Sequence, residues 1–217
     1  MQLDEQIAEV VGALIGDGCL SEYQTRAGRR RQEIAFTGNI TDFDYYENFI
    51  RPSIRSRFGV AGRLFTRDNN STRYHIMNRE AFGFFAGLGI PIGKKGRKLE
   101  IPTKILADRQ LSIACIRGIW NTDGSIYRRY TKIYPGQKRI YDKYLVMQLK
   151  MISERVVRQT KEILNSNGIQ TSGITKNSGQ FVLRIGKQSE INRYFELVGF
   201  SNPHHKNRLK GLEMPIV

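Results

Sequence analysis

Residues 8–18, AEVVGALIGDG, and residues 114–124, ACIRGIWNTDG, write one pattern twice, and that repetition decides the fold. The offset between Ala8 and Ala114 is 106, and under it Gly12 meets Gly118, Gly16 meets Thr122, Asp17 meets Asp123 and Gly18 meets Gly124. Ala8, Gly12 and Gly16 fall four apart, as do Ala114, Gly118 and Thr122, so on a helix each set forms a ridge of near-absent side chains along one face. A helix-interior glycine costs about 1 kcal/mol relative to alanine, which calls for a compensation. For one copy alone, small residues accommodating a bulky neighbour would explain the pattern equally well. Two copies at equivalent places favour two helices touching backbone to backbone.

Working outward, each copy is followed by the same order of elements. In the first half, 19–24 and 32–37 read as a hairpin around the basic stretch 26–31. Thr41 or Asp42 caps a helix carrying Phe43, Tyr46, Phe49, Ile50 and Ile54, ending near Gly59, which Pro52 must kink or split. A second hairpin, 61–67 with 72–77, and a helix over 79–88 complete the half. Residues 89–102, GIPIGKKGRKLEIP, form the bridge. The second half repeats this with strands 125–132 and 143–150, a helix 153–165, strands 171–175 and 180–185, and a helix 188–198. The expectation is an α/β (α+β) protein of two pseudo-twofold αββαββα halves, 1–95 and 96–217, each with a four-stranded antiparallel sheet.

A chain of 217 residues closes a hydrophobic core without disulfide or metal staples. Its 35 Lys and Arg against 20 Asp and Glu leave a net +15, which points to a polyanionic partner. Cys19 and Cys115 stand apart in no CxxC pattern, and the first residues, MQLDEQIAEV, show no leader. With no apolar run of about eighteen residues, the expected setting is intracellular and away from membranes.

The Asp-Gly steps suggest where the helices stop, because Gly18 and Gly124 suit the left-handed position that ends a helix. Asp17 and Asp123 then lie at the negative ends of their helix dipoles, the unfavourable end for a carboxylate. If the ridges pair the helices, two anions and several free carbonyls converge, and like charges raise one another's pKa unless a cation holds them. A hard divalent ion with oxygen ligands, Mg²⁺ above all, resolves that conflict. A single Asp-Gly is better read as a plain turn between helix and strand; the pair at matched places reverses that and favours a site.

These motifs, VVGALIGDG and IRGIWNTDG, resemble those of the single-chain LAGLIDADG homing endonucleases, and the likeness of element order and of the bridge extends to archaeal intron-encoded and intein-borne members. The resemblance implies a saddle whose two sheets grip double-stranded DNA, with the motif helices as the interface between halves. It implies that Asp17 and Asp123 bind divalent ions, Mg²⁺ with Mn²⁺ or Ca²⁺ as substitutes, with the carbonyls of Gly16 and Thr122 as lesser ligands. It also implies basic or polar residues around the metals: Lys98 and Lys206 are expected there, with Lys95 and Arg208 as rivals, and Asn39 and Lys150 at the ends of the second strands. The family's first motif acid is Ile15 in one copy and Asn121 in the other, a departure at a structural position. Two carboxylates sharing metal ions can hydrolyse a phosphodiester without a His or Ser nucleophile, and one Asp per half suits one cut per strand.

Recognition is expected in the hairpins, since a two-stranded ribbon fits the major groove. From Gly124 to Lys150 seven basic residues face one acid. Expected DNA contacts are Arg26, Arg29, Arg30, Arg31, Arg63, Arg67, Arg73, Arg128, Lys132, Lys138, Arg139, Lys143, Gln148, Lys176, Gln180 and Arg184, with the facing of each dependent on strand register. Any one surface arginine is otherwise only a solvated charge. The adjacent His204 and His205 lack a third ligand for zinc, and no GxxxxGK[ST] loop occurs. An RNA-binding maturase and a non-cleaving DNA-binding regulator of the same fold are the alternatives. The paired acids weigh against both, and the ends of the chain weigh against an intein. The chain is expected to act as a monomer with no obligate protein partner.

Overall fold

The computed structural model describes residues 3–134 and 136–210, and within the strands and the last helix the side chains of Lys132, Tyr134, Asp142, Lys143, Leu209 and Lys210 lie outside the described set. Helix α1 (Glu5–Gly16) starts at Asp4, whose carboxylate accepts from the Ile7 amide at 2.8 Å, and α6 (Arg109–Asp123) starts at Asp108 in the same way. The two pack backbone to backbone, as the ridges predict. A Cβ on Gly12 would strike the Cys115 carbonyl, and one on Gly118 would strike the Glu9 carbonyl and come within 2.7 Å of the Ala13 nitrogen. Apolar contact alone does not close this interface. Glu9, 1% exposed, accepts from Asn121 at 2.9 Å, Tyr45 at 3.2 Å and Arg117 at 3.2 Å, which supplies the partners a buried carboxylate requires. Burial pushes the Glu9 carboxyl up, and Ser201 and Arg117 oppose it. Cys115 and Trp120 are fully buried, Trp120 against Tyr194 at 5.3 Å.

Strands β1 (Gly18–Gln24), β2 (Arg30–Asn39), β3 (Arg63–Arg67) and β4 (Ser71–Ile76) form an antiparallel sheet in the order β1-β2-β4-β3. Strands β5 (Gly124–Tyr134), β6 (Gln137–Met151), β7 (Thr175–Asn177) and β8 (Gln180–Ile185) form the second in the order β5-β6-β8-β7. On one face of each sheet the side chains are buried against helices: Leu20, Ile34, Phe36, Tyr74 and Ile76 in the first, Ile126, Met147, Leu149, Leu183 and Ile185 in the second. In the first half the helical layer is α2 (Phe43–Tyr45), a π turn (Tyr46–Ile50), α3 (Arg51–Phe58) and α4 (Arg79–Gly87). In the second it is α7 (Glu154–Ser166) and α8 (Gln188–Leu197), and the short α5 (Thr103–Leu106) precedes α6. The expected two-half architecture with four strands per half is what the structure shows.

Several local expectations change. The one at Pro52 holds: the helical run is divided, with a π turn over 46–50 followed by α3, in whose first turn Pro52 sits, and it ends at Gly59, which takes the left-handed conformation at φ 67°. Gly18 and Gly124 are not left-handed caps. Gly124 is extended (φ −79°, ψ 153°) and both open strands. Their glycines serve closeness instead, since a Cβ there would strike Leu14 and the Trp120 carbonyl as the chain doubles back on its own helix. The third hairpin is longer than expected, with Tyr134 paired to Gln137, so Lys138 and Arg139 stand on β6 rather than in a loop; Pro135 between them lies outside the described residues. Residues 171–174 are not strand, although the Ser172 amide bonds the Arg184 carbonyl at 2.8 Å. The segment around His204 and His205 is helix α9 (Pro203–Lys210), with His205 only 4% exposed.

Candidate active site at the paired helix ends

Because α1 and α6 touch through glycines, their carboxyl ends meet. Asp17 follows α1 and Asp123 ends α6, and a Cβ on Gly16 would lie 2.7 Å from Oδ2 of Asp123. Burial pushes both carboxyls up, Asp17 to about 7 and Asp123 to about 6. At Asp17 the charges of Asp123 and Asp42 add to the rise, while the Tyr46 hydroxyl, donating to Oδ2 at 2.9 Å, opposes it. At Asp123 the opposing group is the Lys95 ammonium.

Lys95 enters from the bridge. Its ammonium donates to the carbonyls of Leu14 at 3.2 Å and Ile15 at 2.7 Å and also to that of Gly16, collecting the unsatisfied acceptors of the last turn of α1. The path is set upstream, where Ile92 makes a bridge to Leu20 and the Gly93 amide bonds the Leu20 carbonyl at 2.6 Å. Burial pulls the Lys95 amine down, and the two aspartates work against that. Beside it is a cavity of about 150 Å³, lined by Gly16, Lys95, Asp123, Lys150, Ser153 and Gln180 among others.

The sequence placed Lys98 ahead of Lys95; of the two, it is Lys95 that the structure sets beside the acids. Lys98 is exposed and lines a groove with Arg97, Arg155, Lys176 and Phe181, beside α7. Lys206 and Arg208 are exposed on α9. Asn39 and Lys150 are not counterparts either. Gly18 pairs with Phe36 and Gly124 with Leu149, so Lys150 corresponds to Thr37, and Asn39 to Ile152. Asn39 instead caps the 3₁₀ turn Ile40–Asp42, accepting from the Thr41 amide at 3.1 Å. Of the carbonyls expected as lesser ligands, that of Gly16 receives Lys95, and Thr122 turns its hydroxyl back to the carbonyls of Gly118 at 3.2 Å and Ile119 at 3.1 Å.

Tyr46, Asp42 and Gly38 went unread in the sequence as parts of this site. A Cβ at Gly38 would lie 2.6 Å from the Tyr46 hydroxyl, 2.7 Å from Oδ2 of Asp42 and 2.9 Å from Oδ2 of Asp17, so any side chain there would displace the polar ends that meet at this wall. Asp42 accepts from the Asn39 amide at 2.9 Å and from Asn202 at 2.8 Å, tying the segment before α9 to the first half. No single local pattern marks the site: the Tyr46 contact to Asp17 and the Asn202 contact to Asp42 join residues 29 and 160 apart, and the place of Gly38 depends on strand register, while the Asn39–Asp42 pair is a local capping box whose part in the site only the fold reveals.

The donor set suits a hard divalent cation: two carboxylates whose ionised forms burial disfavours, backbone carbonyls at a helix end, and oxygen throughout. Among the described residues no group of three or more His, Cys, Asp and Glu side chains forms a complete cage.

The expected DNA-contact residues divide by face. Arg26, Arg29, Arg30 and Arg31 cluster at the tip of the first hairpin, Arg30 paired with Glu22 at 2.6 Å. Arg63, Arg67 and Arg73 lie on β3 and β4, Arg128 on β5, and Lys138 and Arg139 on β6 over the rings of Tyr130 and Tyr141. Gln148, Gln180 and Arg184 share the helix-free face of the second sheet. Lys176 departs from them, standing over Phe181 in the groove beside α7. The side chains of Lys132 and Lys143 lie outside the described residues. Among the described residues no helix is long and apolar enough to cross a membrane.

Residues 110–199 match a family model described as a LAGLIDADG-like domain. No curated protein matches the sequence. Among solved structures the chain is similar to I-DmoI in complex with DNA and Mn, with 14% identity and a TM-score of 0.65 over 91% of this chain and 97% of that one. It is also similar to I-DmoI in complex with DNA and Ca, with 16% identity, a TM-score of 0.65, and 95% and 97% coverage. The I-SmaMI LAGLIDADG homing endonuclease bound to cleaved DNA gives 16% identity, a TM-score of 0.62, and 96% and 87% coverage. At such identities the likeness is one of fold, and it spans both halves.

Proposed function

We propose that this chain is a homing endonuclease of the archaeal intron-encoded type, a monomer that makes a staggered double-strand break in one long DNA target. The observation that carries this reading is the convergence of Asp17 and Asp123, one from each half, at the abutting ends of α1 and α6. Burying two like charges at dipole-negative ends destabilises a fold and serves no packing purpose. A pair placed so has use for cations, and a pseudo-twofold pair suits two phosphates on opposite strands. The +15 net charge and the arginines of the helix-free sheet faces supply the affinity for a duplex. The fold shared with proteins solved on DNA with Mn or Ca agrees with this.

Asp17 and Asp123 would hold divalent ions, Mg²⁺ with Mn²⁺ or Ca²⁺ as substitutes, which when bound activate water and stabilise the leaving 3′ oxygen. The protein's own part is positional. The Tyr46 hydroxyl fixes Asp17, and Lys95 places a positive charge beside both acids where phosphate charge develops. Lys150 and Gln180 border the cavity on the side of Asp123. Products with 5′ phosphate and 3′ hydroxyl ends are expected. The test is a plasmid carrying the target, obtained from a randomised duplex library or from the uninterrupted host gene. With Mg²⁺ the wild type yields linear product, while Asp17→Asn and Asp123→Asn bind but do not linearise it. Normal cutting by either variant removes that acid from the chemistry.

A further inference from the structure

Each sheet turns one face away from the helices, and on each such face one arginine is held by a neighbouring acceptor. In the first half Arg73 donates through Nη2 to Oε1 of Glu33 at 2.8 Å, and Nδ1 of His75 lies 3.0 Å from the same oxygen. In the second half Arg184 donates through Nε to Oε1 of Gln148 at 3.0 Å, and the Tyr127 hydroxyl donates to that oxygen at 3.2 Å. Thr72 and Tyr74, on either side of Arg73, are fully buried, as are Leu183 and Ile185 around Arg184, so both arginines project to the opposite face. At its inner end this face of the second sheet borders the cavity beside Asp123 through Lys150 and Gln180.

A carboxylate that is 8% exposed on a sheet face crowded with arginines calls for a reason. Glu33 does not serve affinity for a polyanion. What it and Gln148 accomplish is orientation: each fixes one edge of a guanidinium and leaves the other N–H groups directed outward. A phosphate can be met by an arginine fork or by a bare charge, so lysine largely serves in its place. A bidentate contact to O6 and N7 of guanine needs the fork held in a plane.

The two arginines also sit at unequal depths. With Phe36 and Leu149 equivalent by their pairing to Gly18 and Gly124, Ala35 corresponds to Gln148, and their partners across the sheet are His75 and Arg184. Arg73 pairs with Thr37, whose amide bonds the Asp17 carbonyl at 3.2 Å, and its counterpart is Val182. Arg73 is therefore two strand residues nearer the acids than Arg184. At about 3.4 Å per strand residue and about 3.4 Å per base step, that is about two base pairs.

We propose that Arg73 and Arg184 read one guanine each, that Glu33 and Gln148 are the positioning residues that aim them, and that the guanine read by Arg73 lies about two base pairs closer to the centre of the target. This rests on the reading of the chain as a protein that binds DNA along these faces. Sites selected by the wild type from a randomised duplex library, in Ca²⁺, should contain two guanines with that asymmetry. Arg73→Lys and Arg184→Lys, which keep the charge and lose the fork, should each abolish one preference, about 5- to 150-fold, as one bidentate base contact is worth. Glu33→Gln should weaken the inner preference and Gln148→Ala the outer, each at one position and with the salt dependence of binding unchanged. A uniform loss at all positions with a shallower salt dependence would make them phosphate contacts and overturn the assignment. Loss of a cytosine preference in Glu33→Gln, with guanine retained, would make Glu33 itself the reader and overturn it too. A wild type that enriches no sequence removes the DNA reading altogether, whereas enrichment that the lysine variants leave unchanged removes this proposal alone.

Discussion

Gly118→Ala tests the contact on which the site depends. The added methyl would meet the Glu9 carbonyl and the Ala13 nitrogen, both backbone atoms of a helix, so no side-chain rotation relieves it. Overpacking of a core typically costs 1–3 kcal/mol, and immovable neighbours put this case near about 3. Alanine regains about 1 kcal/mol of helix propensity, leaving a net loss of about 2 kcal/mol. For a chain of this size each kcal/mol moves Tm by about 2–4 °C, so Gly118→Ala should melt about 4–8 °C lower. The matched control is Gly83→Ala in α4, where a Cβ meets nothing within 4 Å, so propensity alone acts. That variant should gain about 0.5–1 kcal/mol and melt about 1–4 °C higher. Paired thermal and urea unfolding of the three proteins, followed by circular dichroism, reads both signs at once. If Gly118→Ala is as stable as the wild type, the helices are not in backbone contact, and the convergence of the acids loses its support. A fall in both variants would show that glycine replacement is harmful regardless of place.

Two other perturbations address the site. Asp17 titrates at about 7 when folded against 3.8 ordinarily, so between about pH 4 and pH 7 the unfolded chain has released a proton the folded chain keeps. Stability in EDTA should therefore fall as pH rises through that window, by on the order of 4 kcal/mol at most, and level off above it. Asp17→Asn should make the profile shallower without levelling it, because Asp123, pushed up to about 6, keeps its own share; the readout is urea midpoint against pH, and an unchanged slope would show that Asp17 contributes nothing to it. Lys95→Met should slow single-turnover cleavage by about 10²-fold or more, as loss of one preorganised donor at developing charge does, while Lys98→Met stays near the wild-type rate. The reverse ranking would return the role to Lys98.

The gain in reading this sequence came from repetition, and its failures came from register. Ala8, Gly12 and Asp17 recur at 114, 118 and 123, with the small Thr122 in the place of Gly16, and helical periodicity turns those spacings into a face without knowledge of the rest of the chain. The choice between Lys95 and Lys98 was not legible, because it depends on the path that the Ile92 bridge to Leu20 gives the linker. Asn39 looked equivalent to Lys150 by its place near a strand end, and the pairing of Gly18 and Gly124 shows that it is two residues out. In a strand a shift of one residue exchanges the faces, and one of two residues moves a side chain by about 7 Å.

The sequence by itself therefore determined the two halves, the glycine-lined helices and the acids that end them, since each follows from spacing within a few turns of chain. Only the tertiary structure decided that Tyr46 holds Asp17, that Lys95 collects the carbonyls of α1, and that Glu33 and Gln148 aim Arg73 and Arg184. Those contacts join residues far apart in the chain. Their partners are set by strand pairing and by the path of the linker, and neither is written in the periodicity of any one segment.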